Sequence, residues 1–154
     1  HHKTHYSGQL PIWAAVELLD WGGLTMLYEL SPKSSREALA RQVHLSAPQL
    51  RSWLKSLNIV RNYAAHHCRM FNRVYTLTPK MPNKNDAYWI EGLSSQMNRT
   101  FDQLSLIQYL LKEFEVGDPH LLPEVLRTYP SVKQLPIDRV GAPPDWQQHP
   151  LWRS

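Results

Sequence analysis

One long stretch free of glycine and proline constrains the fold of this chain most. It follows Ser46-Ala47-Pro48-Gln49, where Ser46 and Gln49 have the spacing of a helix capping box. Pro48 would lie in the first helical turn, where its missing N–H does no harm. From there to Phe71 neither glycine nor proline occurs. The sequence therefore predicts a long central helix over about 47–72.

The other apolar segments also predict helices. Apolar residues recur at helical spacing over 10–30, where Gly22 and Gly23 predict a kink or a break into two helices. Further helices are predicted up to about Val43, over about 100–116, and after Asp118. No useful alternating strand pattern occurs, so the prediction is an all-α fold. We expect one domain over 1–154, with a core over 10–128 and an irregular tail over 129–154, rich in proline and tryptophan.

Composition excludes several classes of protein. With 42% hydrophobic and 19% charged residues, the chain has the content of a folded domain. It has no apolar run of 18 residues and a polar start, so we expect neither a membrane span nor a signal peptide. Its single cysteine, Cys68, fits a reducing cytoplasm. The net charge of +4 favours polyanionic partners only weakly.

The predicted long helix has an apolar sector and a polar stripe when projected at about 100° per residue. The apolar sector contains Leu50, Trp53, Leu54, Leu57, Val60, Ala64, Cys68 and Phe71. Asn62, His66, Arg69 and Arg73 follow at steps of four, three and four residues, which predicts one stripe. Arg61 falls at the edge of the apolar sector. Its stem would lie on the core while its guanidinium reaches towards His66.

These side chains suit cleavage of RNA by attack of a 2′-hydroxyl on the adjacent phosphate. Histidine moves protons near neutral pH, and arginine stabilises the charge that develops on phosphate oxygens. The reaction needs no metal in principle. The alternatives are a solvated basic face for Arg69 and Arg73, a structural role for His66, and an Arg61 that merely extends from the core edge.

Segments spread over nearly the whole chain closely resemble the abortive-infection family of the AbiD/AbiF type in bacteria. The matching segments are LPIW at 10–13, VELL at 16–19, SWLKSL at 52–57, RNYAAHHCRMFNR at 61–73, PPDW at 143–146 and PLW at 150–152. That family belongs to the HEPN superfamily of helical domains. Its motif is an arginine, a polar residue and then a histidine, which Arg61, Asn62 and His66 match here.

The resemblance implies a HEPN-like helical bundle and a metal-independent endoribonuclease toxin of phage defence. Arg61 and His66 would be catalytic, Asn62 would orient the site, and two copies of the chain would face a shared cleft. Four further residues would hold RNA or support the helix: His67, Arg69, Asn72 and Arg73. The implied partners are RNA, a second copy, and an antitoxin or regulatory RNA.

Members of the family carry a further helical region before the segment that corresponds to His1. The chain is therefore expected to be the C-terminal part of a longer protein of this kind. A second class of function is a non-catalytic RNA- or protein-binding module on the same scaffold. In that case the basic stripe would hold phosphates or a partner without cleaving anything.

Weaker patterns concern metals and supporting residues. Glu17 is a candidate partner for the Arg61 guanidinium, and an exposed helix acid is an equal alternative. His66-His67-Cys68 suggests zinc, but adjacent ligands on one helix diverge by about 100°, so we expect no metal and no cofactor. Three histidines at the start of the chain offer a flexible metal-binding cluster: His1, His2 and His5. A purification remnant or a solvated terminus is expected instead, and the family resemblance implies a native segment as a further alternative.

Two further expectations concern packing. Cys68 lies in the predicted apolar sector and is expected to be buried as a small hydrophobic side chain. Three tryptophans on apolar faces are expected in the core rather than stacked on bases: Trp13, Trp21 and Trp53. In the tail, Trp146 and Trp152 are expected to anchor the irregular segment to the rest of the domain.

Overall fold

The computed structural model describes residues 11–83, 88–91 and 93–153, with the backbone alone at 88. This part of the chain forms six α-helices and three short 3₁₀ helices, which confirms the all-α prediction. The α-helices are α1 (Ile12–Glu17), α2 (Trp21–Leu30), α3 (Lys33–Gln42), α4 (Ala47–Ala65), α5 (Thr100–Glu113) and α6 (Leu121–Arg127). The 3₁₀ helices are Tyr88–Ile90, Ile137–Val140 and Trp146–Gln148. None of the described helices is long and apolar enough to cross a membrane.

The break in the first helical segment lies before the two glycines. The chain leaves the helix after Glu17 and starts a new one at Trp21. Asp20 caps this second helix by accepting a hydrogen bond from the Gly23 main-chain N–H at 2.7 Å. The prediction of two helices is confirmed, but the glycines lie in the first turn of α2 rather than at the break.

The central helix begins where the sequence predicts. The Gln49 side chain accepts a hydrogen bond from the Ser46 main-chain N–H at 2.8 Å, as a capping box requires. Pro48 lies in the first turn. The predicted end near residue 72 is wrong, because α4 ends at Ala65.

A Schellman motif closes α4. The His67 N–H donates to the Ala64 carbonyl at 3.2 Å, and the Cys68 N–H donates to the Tyr63 carbonyl at 2.8 Å. His67 takes the left-handed position of this motif, with a φ of 51°. Glycine usually occupies this position because other side chains are strained there. No glycine occurs at this point of the sequence, so the sequence did not predict that the helix ends here.

The core forms where α2, α3 and α5 pack against α4. Trp53 of α4 lies at its centre with no solvent exposure. Its ring meets those of Trp89 and Tyr109 edge to face, at centroid distances of 5.6 and 5.7 Å. The Tyr109 hydroxyl donates to the Val43 carbonyl at 3.0 Å and so joins α5 to the end of α3. These contacts fix α4 as the scaffold of the domain.

The tail is irregular and anchored by tryptophan, as predicted. Trp146 and Trp152 are both buried. Trp152 stacks on Phe101 at 4.9 Å and donates from Nε1 to Ser105 Oγ at 3.1 Å. The tail thus contributes to the same core as the helices and holds the first half of α5 in place.

The surface of α1 and α2 is unusually apolar. The prediction that Trp13 lies in the core is wrong, because 69% of its surface is exposed. Trp53 is buried and Trp21 partly so, with Trp21 Nε1 donating to the Leu54 carbonyl at 2.9 Å. Large exposed apolar side chains of this region are Ile12, Trp13, Leu18, Leu19, Leu24, Met26, Leu27 and Leu30. So many on two short helices and the residues between them mark a surface suited to an interaction.

Candidate functional site

The last turns of α4 present the candidate site to solvent. Arg61, Asn62 and His66 are all exposed there. Arg61 Nη1 donates to Asn62 Oδ1 at 3.1 Å, so the amide helps to orient the guanidinium. Arg61 was expected at the edge of the apolar sector with its guanidinium reaching towards His66, but the guanidinium bonds Asn62 instead. In the described part of a single copy, no hydrogen bond joins Arg61 to His66.

An open pocket of about 280 Å³ lies beside these residues. Its lining is Ile59, Asn62, Tyr63, His66 and Cys68. The pocket therefore brings together Asn62 and His66, two of the three residues of the sequence motif. Their amide and imidazole groups are able to donate or accept hydrogen bonds to a bound group.

Cys68 departs from its prediction. It was expected in the apolar core, but it is exposed. The helix has already ended at Ala65, so the helical projection does not apply to Cys68. Its Sγ lies 3.7 Å from the His66 carbonyl oxygen, at the edge of the pocket.

The predicted polar stripe is not continuous, for the same reason. Arg69 and Arg73 follow the Schellman motif and leave the helical path of Asn62. Arg69 is exposed. Arg73 folds back on α4, where its guanidinium carbon lies 4.2 Å from the Tyr63 ring centroid. Arg73 Nη1 also donates to the Tyr63 hydroxyl at 3.2 Å. Arg69 and Arg73 are therefore placed near the end of α4 by the turn that follows the helix, and not by a shared helix face.

The start of α5 holds this turn from the other side. Arg99 Nη1 donates to Asn72 Oδ1 at 3.2 Å, and Thr100 Oγ1 donates to the Met70 carbonyl at 2.7 Å. Val74 and Arg99 also form an isolated antiparallel bridge. The sequence pattern did not single out Arg99 or Thr100. Contacts between residues about thirty positions apart leave no periodic signal in one sequence.

The charges on α4 are unevenly balanced. Near its start, Glu29 of α2 contacts Arg51 Nε at 2.9 Å and Lys55 Nζ at 2.8 Å. Hydrogen bonds from Arg51 and then Lys55 lower the pKa of Glu29 to about 2, so the carboxylate stays charged at neutral pH. Arg61, near the other end, has no ion pair in the described residues. Glu29 thus offsets part of the positive charge at the start of α4, whereas Arg61 has no such carboxylate among the described ion pairs.

Glu17 forms no ion pair with the candidate site in the described chain. Its side chain is exposed at the end of α1, and within the described chain it forms no ion pair with Arg61. Its role as a supporting residue stays a prediction.

The described part of the chain contains no group of side chains arranged to bind a metal ion. No group of three His, Cys, Asp or Glu side chains there could hold an ion. His66, His67 and Cys68 therefore do not form a zinc site with a fourth described ligand. The cluster of His1, His2 and His5 lies outside the described residues.

Comparison with known proteins gives a family match, which covers the first part of the chain. The model of the family described as Abi-like protein matches residues 1–72, which include α1 to α4 and the segment from Arg61 to His66. This match shows a likeness to Abi-like proteins over 72 of the 154 residues. No curated protein and no solved structure matches the chain significantly.

Proposed function

We propose that this chain is a metal-independent endoribonuclease toxin of bacterial abortive infection. The observation that carries the proposal is the arrangement at the end of α4. His66 and Asn62 line one open pocket, and Asn62 orients the Arg61 guanidinium. The family match covers these three residues. A proton-transferring group and a forked cation beside an open pocket are what cleavage of a phosphodiester requires.

In the proposed reaction, a His66 imidazole accepts the proton of an RNA 2′-hydroxyl. The 2′-oxygen attacks the adjacent phosphorus, and the bond from phosphorus to the 5′-oxygen breaks. A second group, acting as an acid, donates a proton to that 5′-oxygen. The products are a 2′,3′-cyclic phosphate and a 5′-hydroxyl end. Arg61 donates hydrogen bonds to the phosphate oxygens as their negative charge grows.

We place this reaction in a cleft between two copies of the chain. The pocket of one copy is lined by a single histidine, His66, whereas the reaction needs both a base and an acid. Two copies would supply two histidines and two arginines. The exposed apolar surface of α1 and α2 provides area that a homodimer would bury. An antitoxin or regulatory RNA that restrains the enzyme belongs to the same proposal.

RNA around the pocket would meet further donors. Arg69 is exposed and is proposed to bind phosphate, with Asn72 in the adjoining turn. His67 is proposed to support the site through the Schellman motif that sets the position of His66. Binding that depends on such cations weakens steeply as salt is added.

RNA cleavage in EDTA tests the proposal. Arg61→Ala and His66→Ala should each lower the cleavage rate by about 100-fold or more, because each removes a group that acts in the transition state. Matched controls are Arg41→Ala and His120→Ala, which remove exposed side chains of the same types from outside α4. Circular dichroism checks that each variant is folded. Cleavage retained by both site variants contradicts the proposal.

The second candidate is a non-catalytic module that binds RNA or a protein. The exposed basic residues favour it, because Arg61 and Arg69 suffice to attract a polyanion without any chemistry. RNA recovered intact after long incubation, together with binding that falls steeply with salt, would support this function instead.

A further inference from the structure

Arg73 is the basic residue of the site most fully engaged by its own chain. Its guanidinium lies over the Tyr63 ring at 4.2 Å and donates from Nη1 to the Tyr63 hydroxyl at 3.2 Å. Its Nε donates to the Arg69 carbonyl at 3.2 Å. The first two contacts reach back to α4, and the third closes the turn between them. A guanidinium held in this way has little freedom left to follow a phosphate.

We propose that Arg73 is a positioning residue that braces the turn over 66–73 against Tyr63, rather than a phosphate ligand. Tyr63 lines the pocket next to His66, so the brace sets where the imidazole stands relative to the pocket. For its effect on cleavage, this inference rests on the proposed function. The brace itself is a property of the fold and is testable without RNA.

The surroundings of Tyr63 make it a firm support. Its ring meets the buried Tyr75 edge to face at 5.9 Å. Tyr75 in turn donates its main-chain N–H to the Asn98 carbonyl at 2.8 Å, in the segment that leads into α5. Arg73 therefore connects the turn to the Tyr63 ring, which is itself packed against the rest of the domain.

Arginine is required for this role by its shape. A planar guanidinium lies flat on a ring while it donates from fixed positions in its plane, whereas a lysine ammonium is a compact charge without a plane or a fixed fork of donors. A phosphate ligand, by contrast, tolerates lysine because both side chains supply a positive charge. The exchange of Arg73 for lysine thus separates a brace from a phosphate contact.

The test compares Arg73→Lys, Arg73→Ala and Tyr63→Phe with Arg69→Ala and Arg69→Lys in the full chain. The kcat and KM for RNA cleavage and the salt dependence of RNA binding are measured for each variant. The brace predicts that Arg73→Lys lowers kcat about tenfold, nearly as much as Arg73→Ala, with little change in KM or in the salt slope. Tyr63→Phe keeps the stacked ring and should lose less. Arg69→Ala should reduce the salt slope by about one, and Arg69→Lys should restore it.

Hydrogen exchange supplies the readout that does not depend on RNA. The brace predicts that amides of 66–75 exchange about tenfold faster in Arg73→Lys than in the wild-type chain. They should be unchanged in Arg69→Ala, because Arg69 contributes only its carbonyl to the brace.

Two results would overturn the inference. One is an Arg73→Lys variant that cleaves normally while Arg73→Ala binds RNA with a lower salt slope, which is the behaviour of a phosphate ligand. The other is unchanged exchange of 66–75 in both Arg73 variants. If the wild-type chain cleaves no RNA, the proposed function fails and hydrogen exchange alone decides on the brace.

Discussion

The main-chain N–H of Arg99 donates a hydrogen bond to Asp102 Oδ2 at 2.8 Å, across the first turn of α5. Asp102 is fully buried. Burial raises the pKa of its carboxyl to about 6, although the hydrogen bond from Arg99 opposes the rise. Because Arg99 also contacts Asn72, this carboxyl supports the residue that holds the turn of the candidate site.

The raised pKa of Asp102 predicts a pH-dependent stability. A folded pKa of about 6 against an ordinary value of 3.8 means that folding favours the protonated form. This contribution is fully present below pH 3.8 and is lost as the pH rises through 6. Asp102→Asn keeps an oxygen that accepts from Arg99 but cannot ionise. Its free energy of unfolding should exceed that of the wild-type chain above pH 6 by up to about 3 kcal/mol.

Urea unfolding between pH 4 and pH 8 measures this difference. The advantage of Asp102→Asn should grow between about pH 4 and 6 and level off above. A difference that does not vary with pH would show that Asp102 has an ordinary pKa in the folded chain.

His67 provides a second prediction, on the end of α4. Its φ of 51° strains any residue that has a Cβ, and glycine relieves that strain. His67→Gly should raise the free energy of unfolding by about 0.5–1 kcal/mol. His67→Val should lower it, because a β-branched residue fits this conformation worst. A destabilised glycine variant would show that the imidazole contributes more than the Schellman geometry costs.

The two ends of α4 show what the sequence was able to predict. The start depends on neighbouring residues, Ser46 to Gln49, and local chemistry identified it. The end depends on a left-handed histidine and on contacts that α5 makes with Met70 and Asn72. These contacts are distant in sequence, so the absence of glycine and proline wrongly extended the predicted helix to residue 72.

Gly141 leads to a third prediction, because it packs tightly on Arg99. Its φ is 95°, and an added Cβ would collide with the Cβ and Cγ of Arg99. Gly117 is a matched control with a φ of 69°, at which a Cβ would only touch Leu111 at 3.4 Å. Gly117→Ala should cost about 1–2 kcal/mol from backbone strain. Gly141→Ala should cost about 1–3 kcal/mol more from overpacking, measured by urea unfolding. Equal losses would mean that Arg99 moves aside freely.

Trp152 tests how far the tail belongs to the core. It is fully buried, stacked on Phe101 and hydrogen bonded to Ser105. Trp152→Ala should lower the free energy of unfolding by about 3–5 kcal/mol. Val132→Ala, an exposed change in the same tail, should remain within about 0.5 kcal/mol of the wild-type value. A small effect at Trp152 would show that the helices fold independently of the tail.

The candidate site was predicted in part. The motif Arg61, Asn62 and His66 lies within one short segment of the sequence, and Asn62 and His66 do share a pocket. The positions of Cys68 and Arg73 were not predictable from helical spacing, because the helix ends at Ala65, before both residues. Tyr63 lies inside the motif, but only the fold shows that it supports Arg73.

The chemical ends of cleaved RNA test the central claim most directly. Wild-type protein in EDTA should produce 5′-hydroxyl and 2′,3′-cyclic phosphate ends, because in the proposed reaction the 2′-oxygen attacks the phosphorus without a metal. His66→Ala should produce none above the background of the buffer. Fragments with 5′-phosphate and 3′-hydroxyl ends, or the same products at the same rate from His66→Ala, would contradict the account.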